Sequence, residues 1–175
     1  MSEPVGSLNK AIWGPHFWTA LHALSEQIAA AAGTVQIADI LQEWARLTRY
    51  LSEILPCKVC QEHARLWRRP NFASEPATTA RTWTYDFHEY VRANLKMNGR
   101  AFPIAELVNY KLSTENERIV LESIQLGVDA GIVAADAAAS WRRHWSRLRL
   151  LLGESVPAAR ICTCICTCGA KASLA

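Results

Sequence analysis

From Ile37 onward apolar residues fall at steps of three and four, through Ile40, Leu41, Trp44, Leu47, Leu51 and Ile54, until Pro56 stops the pattern. That period marks one buried face of an α-helix. It recurs in Phe17, Leu21, Leu24 and Ile28, in Trp83, Phe87, Val91 and Leu95, in Ile119, Val120, Ile124 and Val128, and in Trp141, Trp145, Leu148 and Leu152. A chain carrying so many helical stripes is expected to be all-α. The first helix is predicted to begin at Trp13-Gly14-Pro15 and run to about Ala32, before a turn at Gly33-Thr34. The second should run unbroken toward Pro56, the third from Cys57 to about Arg69 ahead of Pro70, and the fourth from Ala80 to Met97 ahead of Asn98-Gly99. A further helical region follows Pro103, with Thr114 and Glu117 in the pattern of a capping box and Gly131 as a break before the last helix.

Proline cannot continue a helix but suits the first position of the next one, so Cys57 and Cys60 are expected to open a helix one turn apart. At that spacing two thiols can close a disulfide or clasp a metal. Backbone N–H groups at a helix start, with the Lys58 charge, favour the thiolate of Cys57, which should be the more exposed and nucleophilic sulfur. Cys60, in line with Ala64 and Trp67, should face inward. On spacing alone the pair fits a redox centre, half of a zinc site, or two inert core thiols.

Composition narrows the classes. The 175 residues include seven tryptophans, six cysteines and a formal charge of +3, too small to argue for nucleic acid as a partner. The most apolar windows, 28–32 and 131–139, are too short to span a bilayer, and the Met1-Ser2-Glu3 start lacks the features of a secretory signal. The expectation is a soluble protein with no membrane partner. Cys57 and Cys60 stand far from Cys162, Cys164, Cys166 and Cys168, which points to two thiol sites and not to a secreted disulfide framework.

Trp18 and His22 are one turn apart and form a side stripe on the first helix; their spacing suits stacking on each other or on a flat ligand. His88 follows Trp83 on another helix. The ordered segments Trp13-Gly14-Pro15-His16-Phe17-Trp18-Thr19-Ala20-Leu21-His22, Leu55-Pro56-Cys57-Lys58-Val59-Cys60 and Trp83-Thr84-Tyr85-Asp86-Phe87-His88, with Val91 and Leu95, resemble the three signatures of the Erv/ALR flavin-linked sulfhydryl oxidases. The resemblance covers about residues 10–98. It implies a four-helix bundle that binds FAD, oxidises protein dithiols through Cys57 and Cys60, and passes electrons to molecular oxygen with release of hydrogen peroxide. It also implies Cys60 as the cysteine beside the flavin, Cys57 as the interchange cysteine, and a homodimer. Cofactor contacts are implied for Trp13, Gly14, Trp18, His22, Trp83, His88, Val91 and Leu95; apart from the resemblance, Arg92 and Lys96 are candidate cations for the phosphates, with an exposed basic helix face as the alternative. The chain departs from the family pattern at His88-Glu89-Tyr90-Val91-Arg92, where two asparagines are replaced, and Lys96 falls one place short of the usual lysine. The opening Trp-Gly-Pro and the lack of extra cysteines resemble compact versions encoded by large DNA viruses. That would place the protein in a host cytoplasm or virion, with the mitochondrial intermembrane space as the alternative.

The chain divides into an oxidase-like domain at 1–102, a helical extension at 103–157 and a tail at 158–175. Arg142, Arg143, His144, Arg147 and Arg149 in the extension read as a solvated basic face. The tail's repeated Cys-x-Cys, Cys162 to Cys168, resembles the shuttle of some fungal members; thiolate metal binding is the competing reading. The rival function is a zinc-stabilised helical interaction module using Cys57, Cys60, His63 and tail cysteines. A structural helical protein with reduced thiols is the third.

Overall fold

The computed structural model describes residues 6–71, 80–95 and 104–153, and helices are their only regular secondary structure. Helix α1 spans Lys10–Ala30 and starts earlier than predicted, because the Asn9 side chain caps it by accepting the Ala11 N–H at 3.0 Å. Pro15 therefore lies inside the helix, where its fixed φ is compatible with helical backbone and only one donor is lost. The helix stops at Ala30, and Gly33, at φ 92°, makes the turn that follows.

The predicted second helix is broken. α2 covers Ile37–Arg49, and a single turn, α3, covers Leu51–Ile54. Thr48 Oγ1 donates to the carbonyls of Trp44 and Ala45 just before the break, and the Tyr50 N–H reaches Leu47 O at 3.2 Å. Leu51 and Ile54 stay buried on the same core, so the apolar stripe passes through a change of backbone that periodicity cannot register. α4 spans Lys58–Asn71 and extends past Pro70, the predicted stop; α5 spans Ala80–Asn94. A 3-10 turn at Ile104–Asn109 leads to α6, Thr114–Asp129, and α7, Ala135–Leu151. The cap of α6 is Ser113, whose side chain accepts the Asn116 N–H at 3.1 Å; Thr114, the predicted cap, is the first helical residue.

α1 packs against α5 and α6, α2 against α7, and α3 against both α4 and α7. One apolar cluster joins Phe17, Leu21 and Leu24 of α1 with Trp44 and Leu47 of α2, Phe87 of α5, Ile124 of α6 and Trp141 and Leu148 of α7. The α6–α7 hairpin is therefore built into the same core as the helices that hold the cysteines.

The basic cluster of α7 is only in part the solvated face that its composition suggests: Arg143 and Arg147 are exposed, while His144, Arg142 and Arg149 turn toward neighbouring helices. His144 Nδ1 lies 2.7 Å from Glu43 Oε2 of α2, and Arg147, also on α7, reaches the same carboxylate at 3.3 Å. Glu43 is 1% exposed and also accepts from Arg46 at 2.8 Å. Arg149 is buried against Glu117, which also accepts from Trp145 Nε1 at 2.7 Å. Arg142 donates to Leu121 O and Gln125 Oε1. These charges join helices, because a buried carboxylate left without donors would be costly. Among the described residues no helix is long and apolar enough to cross a membrane.

Candidate active site

Pro56 ends the α3 turn, and α4 begins at Lys58, so Cys57 is the capping residue just ahead of the helix and not its first member. Its carbonyl accepts the first intrahelical bond, from the Gln61 N–H at 2.9 Å. Its Sγ accepts the Cys60 N–H at 3.2 Å, the bond that a serine or aspartate makes at an N-cap. Cys57 and Cys60 form a disulfide with Cα atoms 5.2 Å apart. Both residues are half-buried and pack against the core. Trp67, two turns along α4, stacks on Phe87 of α5 and ties the cysteine helix to the next one.

The second group lies between α1 and α5. Trp18 stacks on His88, with ring centroids 4.1 Å apart and planes 8° from parallel. Trp18 and His22, the pair expected to stack along α1, are only tilted, at 6.2 Å and 32°. His22 Nε2 lies 3.0 Å from His88 Nδ1, so the N–H of one ring donates a hydrogen bond to the bare nitrogen of the other. Burial pushes His22 down to about 4, against a smaller opposing effect of Glu26. Burial also pushes His88 down to about 3, helped by His22 and Arg92. Both rings are neutral at pH 7.

The other predicted contacts are dispersed. Trp13 is 5% exposed and packs edge-on against Phe17; a Cβ on Gly14 would meet nothing within 4 Å. Trp83 turns to Trp44 of α2 and to Phe87, away from His88, since five residues on a helix place two side chains on different sides. Val91 is half-buried on the core, Arg92 pairs with Glu89 at 3.3 Å, and Leu95 is 37% exposed. Lys96 and the tail cysteines Cys162, Cys164, Cys166 and Cys168 lie outside the described residues.

Two features escaped the sequence reading. Tyr110 brings its ring to 5.4 Å from His22, and Arg81 of α5 forms an ion pair with Glu26 of α1. Both line an open groove of about 870 Å³ that also takes in Gln27 and Lys111. No spacing signal links position 110 to position 22; only the path of the 3-10 segment across α1 does. Among the described residues no three His, Cys, Asp or Glu side chains gather closely enough to hold a metal ion.

The family model described as Erv1/Alr matches residues 15–112. Proteins named FAD-linked sulfhydryl oxidase from two isolates of African swine fever virus, one from a pig in Kenya and one from a warthog in Namibia, are each 28% identical over 116 residues, covering 66% of this chain and 88% of their own. No solved structure gives a match. The matched span contains the capped Cys57–Cys60 pair together with Trp18, His22 and His88, and by that match over more than half of its length the chain belongs to the Erv1/Alr family.

Proposed function

We propose that the protein is an FAD-linked sulfhydryl oxidase that makes disulfides in protein dithiols. The observation that carries this reading is the Cys57–Cys60 disulfide seated on the N-terminus of α4, inside the span matched to the family. A substrate thiolate attacks Cys57 Sγ; a new S–S bond forms, the Cys57–Cys60 bond breaks, and Cys60 leaves as thiolate. The second substrate thiol loses its proton and attacks the mixed disulfide, releasing Cys57 as thiolate and the substrate as disulfide. Two electrons then reside on the cysteine pair. The Cys60 N–H and the helix dipole stabilise the Cys57 thiolate released in that second step.

The residues between α1 and α5 fit FAD. His22 is 1% exposed, yet its Nδ1 has no hydrogen-bond partner among the described residues, and a buried polar atom without one costs about 1–3 kcal/mol. A ligand with polar edges would satisfy it, and Trp18 and His88, stacked on each other beside it, would meet such a ligand with their outer sides. Trp18, His22 and His88 would hold the cofactor, with the two imidazoles neutral. FAD, when bound, would supply the two-electron acceptor that regenerates the disulfide, with molecular oxygen as the final acceptor and hydrogen peroxide as the product. In this reading the thiolate that attacks Cys57 can also be one of the tail cysteines, Cys162, Cys164, Cys166 or Cys168, whose own disulfide the substrate dithiol reduces first.

The test is the visible spectrum and the oxygen uptake of the purified protein with dithiothreitol, for wild type and Cys60→Ala. The wild type should be yellow and consume oxygen; the variant should keep its colour and lose turnover. Wild-type turnover in the variant, or a colourless wild type that binds no added FAD, would remove the assignment.

A further inference from the structure

Residues 113–153 lie beyond the span matched to the family, yet the turn between α6 and α7 reaches the helix of the cysteine pair. Gly131, at φ 69°, reverses the chain there. The N–H groups of Ile132 and Val133 both bond to Gly127 O, at 2.8 and 3.0 Å, which fixes the turn on the end of α6. The Ile132 carbonyl faces α4. It accepts from Lys58 Nζ at 2.6 Å and from Gln61 Nε2 at 3.1 Å. Lys58 lies between the two cysteines in sequence, and Gln61 follows the second. The Gln61 amide also donates to Leu55 O at 2.9 Å, so one side chain links the α6–α7 turn to the turn that presents Cys57.

The contact is packed as well as hydrogen-bonded. A Cβ on Gly127 would lie 2.8 Å from Val133 Cγ2 and 3.0 Å from Pro56 Cβ. Any larger residue would have to push Val133 or Pro56 aside, so glycine allows the close approach of α6 to the proline that seats Cys57.

We propose that the α6–α7 turn is a positioning element for thiol–disulfide exchange, in which the Ile132 carbonyl holds the Lys58 ammonium at the N-terminus of α4, where its charge favours the thiolate that Cys57 becomes on reduction. The inference rests on reading Cys57–Cys60 as the redox pair. An exposed lysine left free in water samples many rotamers, and its charge is strongly screened. Tied to a backbone carbonyl, the cation keeps one place and adds to the helix dipole acting on the sulfur that accepts the Cys60 N–H. A stabilised thiolate leaves faster and makes the disulfide a stronger oxidant.

The experiment equilibrates the full chain with glutathione and its disulfide and reads the Cys57–Cys60 oxidation state by alkylation and peptide mass. Lys58→Gln should move the equilibrium toward the disulfide by about two- to fivefold, and Lys58→Arg should retain most of the wild-type value. Gly127→Ala, which wedges the turn away from Pro56, should give a smaller shift in the same direction and add nothing once Lys58 is glutamine. Thermal melting verifies that each variant is folded. A Lys58→Gln equilibrium equal to wild type overturns the proposal, and so does a Gly127→Ala shift of the same size with and without Lys58. The readout needs neither FAD nor turnover. A wild-type protein that exchanges with glutathione but takes up no oxygen would therefore overturn the oxidase reading, while the variants would still decide the tether.

Discussion

The Trp18 indole and the His88 imidazole lie face to face, 4.1 Å apart and 8° from parallel, although one belongs to α1 and the other to α5. The flat side of the candidate cofactor site is thus made across two helices, and its shape depends on their register. Glu26 and Arg81 pair between the same two helices farther along and help to hold that register.

Trp18→Ala should weaken FAD retention about tenfold or more, which corresponds to loss of roughly 1.4 kcal/mol of aromatic contact. Trp18→Phe should keep most of it. The flavin-to-protein absorbance ratio after gel filtration measures both, and equal retention in wild type and Trp18→Ala would remove Trp18 from the site.

The neutral histidine pair sets an acid limit on stability. Both folded-state values, about 4 for His22 and about 3 for His88, lie below the ordinary value of 6.5. The unfolded chain therefore takes up protons below about pH 6.5 that the folded chain does not. Stability is full above that pH and declines as the pH falls toward 4. Urea midpoints of the wild type should drop between about pH 7 and about pH 5, and His88→Phe, which keeps a ring against Trp18, should flatten that drop.

Glu117 and Arg149 form a buried pair between α6 and α7. Glu117→Leu leaves the guanidinium buried without its carboxylate and should cost about 3–5 kcal/mol, a fall in Tm of roughly 10 °C. Replacing both, Glu117→Leu with Arg149→Met, should recover most of the loss. A single variant that melts with the wild type would mean that the pair contributes nothing net.

What the sequence made legible was carried by residue type and period. The stripe through Phe17, Leu21 and Leu24 and the stripe through Trp44 and Leu47 both form core, and Pro56 does place the cysteines at a helix start. The misses are of a different physical kind. Ser113 and Thr114 are both competent caps, and only backbone geometry chooses between them. The break at Tyr50 falls on a face whose apolar spacing never changes. A run of arginines gives the sign of its charge but not whether a carboxylate waits on the facing helix, so Arg149 reads as solvated although it is buried. The Ile132 carbonyl is least legible of all, because every residue except its neighbours' needs would offer the same acceptor; its partners Lys58 and Gln61 are more than seventy positions away.

Glu43 remains, almost wholly enclosed and met by His144 and Arg147 of α7. Apolar ridges alone would let two helices dock in neighbouring alignments of similar energy. A slide of α7 by one turn, about 5.4 Å, would bring Ser140 or Leu148 to the place of His144 and leave the enclosed carboxylate, still paired with Arg46, without its imidazole partner. Glu43 thus works as an index mark: the alignment of α7 that gives its carboxylate the His144 partner is also the one that sets Ile132 against Lys58.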